Sequence, residues 1–447
     1  MMLSEKPRDV DFLHSFFFNL KKMGVRYCIL RNADEVEAGD AHDVDMTVDS
    51  SRLEEVNALL HAIAGNLGWK LHMQTGRVQD RYNIKCYHFW YEDAELRQIS
   101  IVHIDVFPTF SWNGYELLSN DALLKNVPLG DSLYVSAAPE VEAVCNLFVR
   151  LLFNGYVKEK YKAGILKVFQ EKKAQVMELL SSFLSSDWAA RIIDLVIVAQ
   201  WAEIEKMRDV IVRCIRKHVA RRKLAYWRYL ADKICYRRGR IIALLGTDGS
   251  GKSTIVQGIP KVLERSFPEG AVVSYHWRPS ILDFAPSKNA DELKKIITDP
   301  HNQQPYGKFK SFLKMGYYAL DYLLGYWGKI YWDAVRGKLV VFDRYYYDFY
   351  IDKIRYRLNV SDAMVRFFQL FVPSPDATFV LVGDARKIAE RKREISVEAT
   401  AEQIALLKRK TPYFAHPVEV DVTQDINGVL YDMCRGILRC FCSNRSR

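Results

Sequence analysis

Hydrophobic and polar positions along the 447-residue chain fall into stretches of different rhythm. Over roughly the first hundred residues, short apolar runs alternate with helical periodicities. DFLHSFFFNLKKM at 11–23 reads as an amphipathic helix, Val25–Leu30 as a strand, Arg31–His42 as a polar loop, and Asp43–Asp49 as a strictly alternating strand. A helix over 51–65 follows, then strands over Tyr87–Tyr91 and Ile99–Phe107 with a turn around Glu92–Glu95 between them. From 139 to 235 the pattern is helical throughout, as in EVEAVCNLFVRLLF and DWAARIIDLVIVAQWAEIEKM. Beyond it five apolar runs alternate with helical stretches: Ile241–Leu245, Ala271–His276, Leu339–Asp343, Thr378–Val382 and Val418–Val422. Such runs suit a parallel sheet covered by helices on both faces. The expected fold is α/β: an α/β domain at 1–138, a helical extension and basic linker at 139–237, and a parallel-sheet domain at 238–447.

The first run of the last domain breaks into Gly246-Thr247-Asp248-Gly249-Ser250-Gly251-Lys252-Ser253-Thr254, and a helical pattern follows. Gly246, Gly251, Lys252 and Ser253 meet the spacing G-x-x-x-x-G-K-[ST] of a phosphate-binding loop. Gly246, Gly249, Ser250 and Gly251 let the backbone turn its N–H groups around phosphate oxygens, and the following helix adds its positive end. Lys252 is expected on the β- and γ-phosphates and the Ser253 hydroxyl on Mg²⁺, with Thr254 beside it. ATP with Mg²⁺ is the cofactor pair expected. Asp343 closes an apolar strand, the place where the Mg²⁺ shell of such a protein is completed, and the adjacent Arg344 can clamp an acceptor phosphate. Arg278 follows the second strand of this domain.

In the first domain Asp43 and Asp45 project to one side of their strand, and the strand Ile99–Phe107 can bring in Asp105 as a third carboxylate. Three neighbouring carboxylates stay ionised only with cations among them, as in a two-metal transfer site. The alternative is that Asp43, Asp45 and Asp49 form the wet face of an edge strand.

Composition adds limits rather than chemistry. Hydrophobic residues make 49% of the chain and charged ones 26%, the balance of a globular protein. The eight cysteines are scattered, and Cys440-Phe441-Cys442 lacks zinc-knuckle spacing, so reduced thiols and no structural metal are expected. The start, MMLSEKPRDVDF, is charged where a signal peptide is apolar, and no run reaches 18 uncharged apolar residues. A cytoplasmic protein is expected, with no specific nucleic-acid partner. The net charge of +10 is concentrated at 206–240, where thirteen Lys or Arg face two acids, Asp209 and Asp232. Interleaved apolar residues make this either a helix peripheral to an anionic membrane surface or a solvated helix packed on its neighbours.

Two resemblances follow from these residues. Residues 10–110, with Asp43-Val44-Asp45 and Asp105, resemble the nucleotidyltransferase superfamily, which implies a second, Mg²⁺-dependent transfer site. The upstream Gly-Ser of that pattern is absent; Leu30-Arg31-Asn32 stands there, and Arg31 can contact phosphates itself. Residues 240–425 resemble the thymidylate kinase family through the loop 246–254, Asp343-Arg344-Tyr345, Arg278 and a basic lid stretch, Asp384–Ala415, with Arg386, Arg391, Lys392 and Arg393. The resemblance implies that Asp248 faces the acceptor sugar, that Arg278 and Arg344 hold the acceptor phosphate, and that Arg391 approaches the donor. The chain departs from that pattern at Arg278-Pro279, at Tyr345-Tyr346-Tyr347-Asp348-Phe349-Tyr350, and in an insertion near 283–337 whose aromatic helix is either buried or substrate-facing. The joined arrangement looks like kinase-like proteins of bacterial surface-polysaccharide functions, implying a small-molecule or glycan acceptor. The expectation is a phosphotransferase acting on a nucleotide- or sugar-like acceptor. A plain thymidylate kinase with an appendage and a non-catalytic nucleotide-binding scaffold are the alternatives.

Overall fold

The computed structural model describes residues 8–41, 43–75, 82–127, 132–235, 237–263, 267, 270–282, 304–391 and 396–443. His42, residues 283–303 of the expected insertion, and Lys392 and Arg393 of the expected lid lie outside the described residues. The chain divides into two compact units, Met1–Tyr91 with Ser100–Asp232, and Glu92–Ile99 with Lys233–Arg447.

In the first unit five strands, β1 (Tyr27–Ile29), β2 (Val44–Val48), β3 (Lys70–Thr75), β4 (Lys85–Asp93) and β5 (Gln98–Val106), form one sheet in the order β1-β2-β5-β4-β3. β1 runs antiparallel to β2, and β2 parallel to β5. The alternation at 43–49 therefore does not mark an edge strand: β2 lies between two neighbours and all five of its residues are buried. Asp49 stands just past the strand, where its side chain accepts the Ser51 N–H and caps the 3₁₀ turn Ser50–Arg52. Helix α1 (Arg8–Lys22) buries Phe12, Phe16, Phe17 and Leu20 in a core shared with β1, β2 and β5. A small hairpin, β6 (Phe110–Trp112) and β7 (Tyr115–Leu118), leads to the helical part. There α2 (Pro139–Asn154) is the centre, burying Val144, Leu147, Phe148 and Leu151 against later helices. Helix α3 (Arg208–His218) packs Ile211, Val212 and Ile215 into that core, so Arg213, Arg216 and Lys217 form its outer face while Arg208 donates to the Leu151 and Leu152 carbonyls. Helix α4 (Lys223–Cys235) buries none of its side chains.

In the second unit β8 (Arg240–Gly246), β9 (Val272–His276), β10 (Leu339–Asp343), β11 (Ala377–Val382) and β12 (Pro417–Asp421) are all parallel, in the order β12-β11-β8-β10-β9. β8 is central, and Ile241–Leu245 are buried as a continuous apolar run requires. Its start is held by Asp376, which accepts the Ile241 N–H at 2.7 Å and pairs with Arg237. Helix α5 (Lys252–Val262) leaves the carboxyl end of β8. Helix α6 (Lys308–Gly325), the aromatic helix, buries Met315, Tyr318, Ala319 and Tyr322 on one face and exposes Phe309, Leu320 and Leu324 on the other. Helices α7 (Asp362–Gln369), α8 (Ala385–Arg391), α9 (Val397–Lys410) and α10 (Ile426–Ser443) complete the unit.

The tyrosine run after Asp343 is core. Tyr345, Tyr346 and Tyr347 are buried, and each phenol finds a backbone partner: Tyr345 donates to the Pro373 carbonyl, Tyr346 to the Val365 carbonyl at 2.9 Å, and Tyr347 accepts the Ala415 N–H at 3.1 Å. A buried phenol is tolerated where its hydroxyl is satisfied, and these three hold the strand end to distant segments. Tyr346→Phe removes one such bond and little volume. We expect a loss of about 1 kcal/mol in denaturant unfolding with the native far-UV signal unchanged.

Candidate phosphate-binding site

The loop between β8 and α5 must reverse the chain in a space closed by β11. A Cβ added at Gly246 would lie 2.7 Å from Ser250 Oγ and 2.9 Å from Leu381 Cβ, so only glycine fits. Gly249 (φ 87°) and Gly251 (φ 82°) are in the left-handed region that glycine reaches without penalty. Lys252, buried at the first turn of α5, folds back on the loop and donates to the Gly246 and Thr247 carbonyls, both at 2.9 Å. Burial and then the nearby Arg344 depress its pKa. Ser253 and Thr254 are exposed beside it.

Asp343 ends β10 in register with Leu244 of β8, which places its carboxylate next to the loop. Its Oδ1 is buried and has no hydrogen-bond partner, while His276 Nδ1 lies 3.6 Å from Oδ2. An orphaned carboxylate oxygen suits a hard cation that keeps most of its own waters. Asp343, with Ser253 at the start of α5, would be the residues to hold Mg²⁺ if it binds here.

Arg344 follows with φ 77°, unusual for a residue with a side chain. It reaches Asp248 of the loop at 2.6 Å and Asp348 at 3.3 Å. Asp348 is buried and also accepts the Tyr356 hydroxyl at 3.0 Å. Burial pushes its pKa up against the pull of Arg344, whose own pKa rises because these carboxylates outweigh its desolvation. Beside them opens a solvent-accessible pocket lined by Gly246, Thr247 and Asp248 of the loop and by Arg344, Asp348 and Arg355. Ile351, Asp352, Gln403 and Leu407 complete it.

The structure brings Gly246, Asp248, Lys252, Asp343 and Arg344 together at the carboxyl ends of the central strands. Two expected residues stand elsewhere. Arg278 is half-buried against the aromatic helix, bonded to Asp321 at 3.0 Å and to the Tyr317 hydroxyl at 3.3 Å, and does not line the pocket. Arg391 is exposed at the end of α8 and also lies outside the lining. Asp348, Arg355 and Gln403 are pocket residues that the sequence reading passed over. The signal for Asp348 was visible: a single acid within Tyr345–Tyr350, an otherwise aromatic run, needs a buried cation.

In the first unit Asp45 and Asp105 face each other across the parallel pair β2–β5. Asp45 is ion-paired with Arg31, and Asp105 accepts from His103 Nε2 at 2.9 Å. Burial, opposed by Arg31 and helped by Asp105, pushes Asp45 up to about 6. Burial also works on Asp105, yet the imidazolium of His103 holds it below its ordinary value. Asp43 precedes the strand and is exposed. The three carboxylates expected to share a metal thus do not form one ligand set, and among the described residues no three His, Cys, Asp or Glu side chains do. The cations that keep this pair ionised are the protein's own, and the arrangement does not fit a divalent ion.

A parallel sheet whose central strand feeds a glycine loop and a helix N-terminus defines the class of the second unit, a P-loop α/β fold. No protein-family model matches the chain, and no curated protein matches it. Among solved structures, the chain is similar to the thymidylate kinase of Ehrlichia chaffeensis, with 15% identity, 44% of this chain and 95% of that chain covered, and a TM-score of 0.28.

The Arg31–Asp45 pair gives a direct test of the first unit. Arg31→Met leaves a buried carboxylate without its counter-ion and is expected to cost about 3–5 kcal/mol in unfolding experiments. Adding Asp45→Asn should recover most of that loss, because the charge and its partner then leave together.

Proposed function

We propose that the second unit is an ATP-dependent phosphotransferase. The observation that carries the reading is the shared lining: Gly246, Thr247 and Asp248 belong both to the phosphate loop and to the pocket, so an acceptor in that pocket sits against the donor's terminal phosphate. Lys252 exchanges the loop carbonyls for β- and γ-phosphate oxygens, and the loop N–H groups orient them. Asp343 and Ser253 would hold Mg²⁺, which would supply positive charge to the donor's phosphates. The remaining work is positioning, which phosphoryl transfer chiefly requires. Gln403 and Leu407 bring α9 over the pocket and limit water at the acceptor.

A nucleotidyltransferase reaction in the first unit has less support, since Arg31 and His103 occupy the carboxylates that such chemistry would use. The anionic-surface reading of 206–240 narrows to α4 and its flanks. Leu224 and Trp227 there are 66% and 64% exposed, among Arg221, Arg222, Lys223 and Arg228. No helix among the described residues is long and apolar enough to cross a membrane.

Lys252→Ala should leave the unfolding midpoint nearly unchanged and lower turnover of labelled ATP by roughly 10²-fold or more, the scale of losing one transition-state cation. A variant that keeps full turnover would sink the phosphotransferase reading. For the surface, the full chain should sediment with anionic vesicles at low salt and release as salt rises, with Trp227→Ala weakening the association. Retention that ignores salt, or no retention, returns α4 to a solvated helix.

A further inference from the structure

Helix α6 is apolar on two opposite faces, and only one of them is covered. Met315, Tyr318, Ala319 and Tyr322 pack into the second unit and anchor the helix there. The other face carries Phe309, Leu313, Leu320 and Leu324, whose spacing sets all four on one side of an α-helix, with Trp327 about one turn beyond. At about 1.5 Å per residue the stripe from Phe309 to Trp327 is roughly 27 Å long. Helix α7 continues this surface. The exposed rings of Phe312, Phe367 and Phe371 are linked through Phe368, with centroid separations of 5.2 Å for Phe312–Phe368, 5.2 Å for Phe367–Phe368 and 5.7 Å for Phe367–Phe371. Phe309 is 75% exposed and Leu370, just past α7, 80%. Together the two helices present roughly 1,000 Å² of apolar surface, against about 300–600 Å² for the largest patch of an ordinary monomer.

The charge around this surface has one sign. From Gln304 to Trp332 the sequence has a single acid, Asp321, which is fully buried and paired with Arg278. Lys308 and Lys310 flank the stripe at its start and Lys329 stands at its end, all three exposed. Lys314 turns inward instead and donates to the Tyr356 carbonyl at 3.1 Å. On α7 the one acid, Asp362, is held between Lys353, at 2.6 Å, and Lys410, while Arg366 is exposed.

We propose that this face of α6 and α7 docks on an anionic lipid surface, with α6 lying in the plane of the interface. An apolar face of Trp, Phe and Leu rimmed by lysine suits the headgroup boundary, where such helices sit roughly 5–10 Å deep. The ammonium groups reach the headgroup phosphates while their stems cover the edges of the stripe. A second copy of the chain fits the rim less well. Antiparallel copies related by a two-fold axis would set Lys308 and Lys310 of one against Lys329 of the other, and like charges so placed repel. The surface is distinct from α4, and it does not depend on the phosphotransferase reading.

The probe is a vesicle of phosphatidylglycerol and phosphatidylcholine, offered to the full chain carrying Trp227→Ala so that α4 contributes less. This chain should sediment with the vesicles at low salt and only weakly with phosphatidylcholine alone. Adding Leu320→Glu and Leu324→Glu should lower the partition by roughly tenfold or more. The unfolding midpoint should stay unchanged, because both side chains are exposed. Retention that the two glutamates leave unaltered overturns the proposal. So does equal retention by neutral vesicles, or no retention at all. Light scattering without lipid covers the other occupant: a dimer that the same glutamates turn into a monomer assigns the face to a second copy and overturns the lipid reading. Should the glutamates prevent folding, fluorescence decides instead. In a chain carrying Trp227→Phe, phosphatidylglycerol brominated in its acyl chains should quench tryptophan emission, and Trp327→Phe should remove most of that quenching. Quenching that survives Trp327→Phe overturns the proposal.

Discussion

Burying β8 at the middle of a five-stranded parallel sheet obliges the chain leaving its carboxyl end to turn where there is no room for a side chain. The rest of the second unit depends on that restriction. Because Gly246 lies against Leu381 of β11, the loop is pressed back over α5, and Lys252 comes to rest on the loop's own carbonyls. Because β8 and β10 are in register, Asp343 and Arg344 emerge beside the same turn. The loop, the strand-end acid and the arginine are thus placed by sheet geometry before any ligand arrives.

A second theme is that both units neutralise buried carboxylates with guanidinium groups of their own. Asp45 has Arg31, Asp321 has Arg278, and Asp348 has Arg344. Each acid is too buried to remain ionised alone, and each arginine is bonded well enough to stay desolvated. The arrangement specifies a single conformation more than it adds stability, because paired charges in an interior roughly offset their desolvation. It also means that an arginine placed by a motif is not thereby free to bind a ligand.

That point marks where the sequence was legible and where it was not. The five strands of the second unit could be read because buried parallel strands are continuous apolar runs, and the loop because its glycines have a fixed spacing. β3 went unread: Lys70–Thr75 begins with a charge and alternates only weakly, since one of its faces is half-exposed. The strand at 43–49 was read as a strand, but its polar residues concealed that β2 is internal and not at an edge. Arg278 showed its type and its place after β9, yet its partner Asp321 lies 43 residues further on, beyond any local pattern. Tyr345–Tyr347 stood out as a departure near the acceptor, and only their backbone partners reveal them as core.

Helix α9 supplies Gln403 and Leu407 to the pocket, and its carboxyl-terminal end is tethered several times over. Lys410 pairs with Asp362, Gln369 donates to the Tyr413 carbonyl, and Phe414 stacks on Tyr347 with ring centroids 4.9 Å apart. Such a helix is a lever with its fulcrum near Tyr413. At about 1.5 Å per residue the arm to Gln403 is roughly 15 Å, so a tilt of about 10° swings that residue by roughly 2.5 Å and Leu407 by about half as much. The polar tip then sweeps about twice as far across the mouth as the apolar root, so one rotation changes the width of the opening more than the position of the wall behind it.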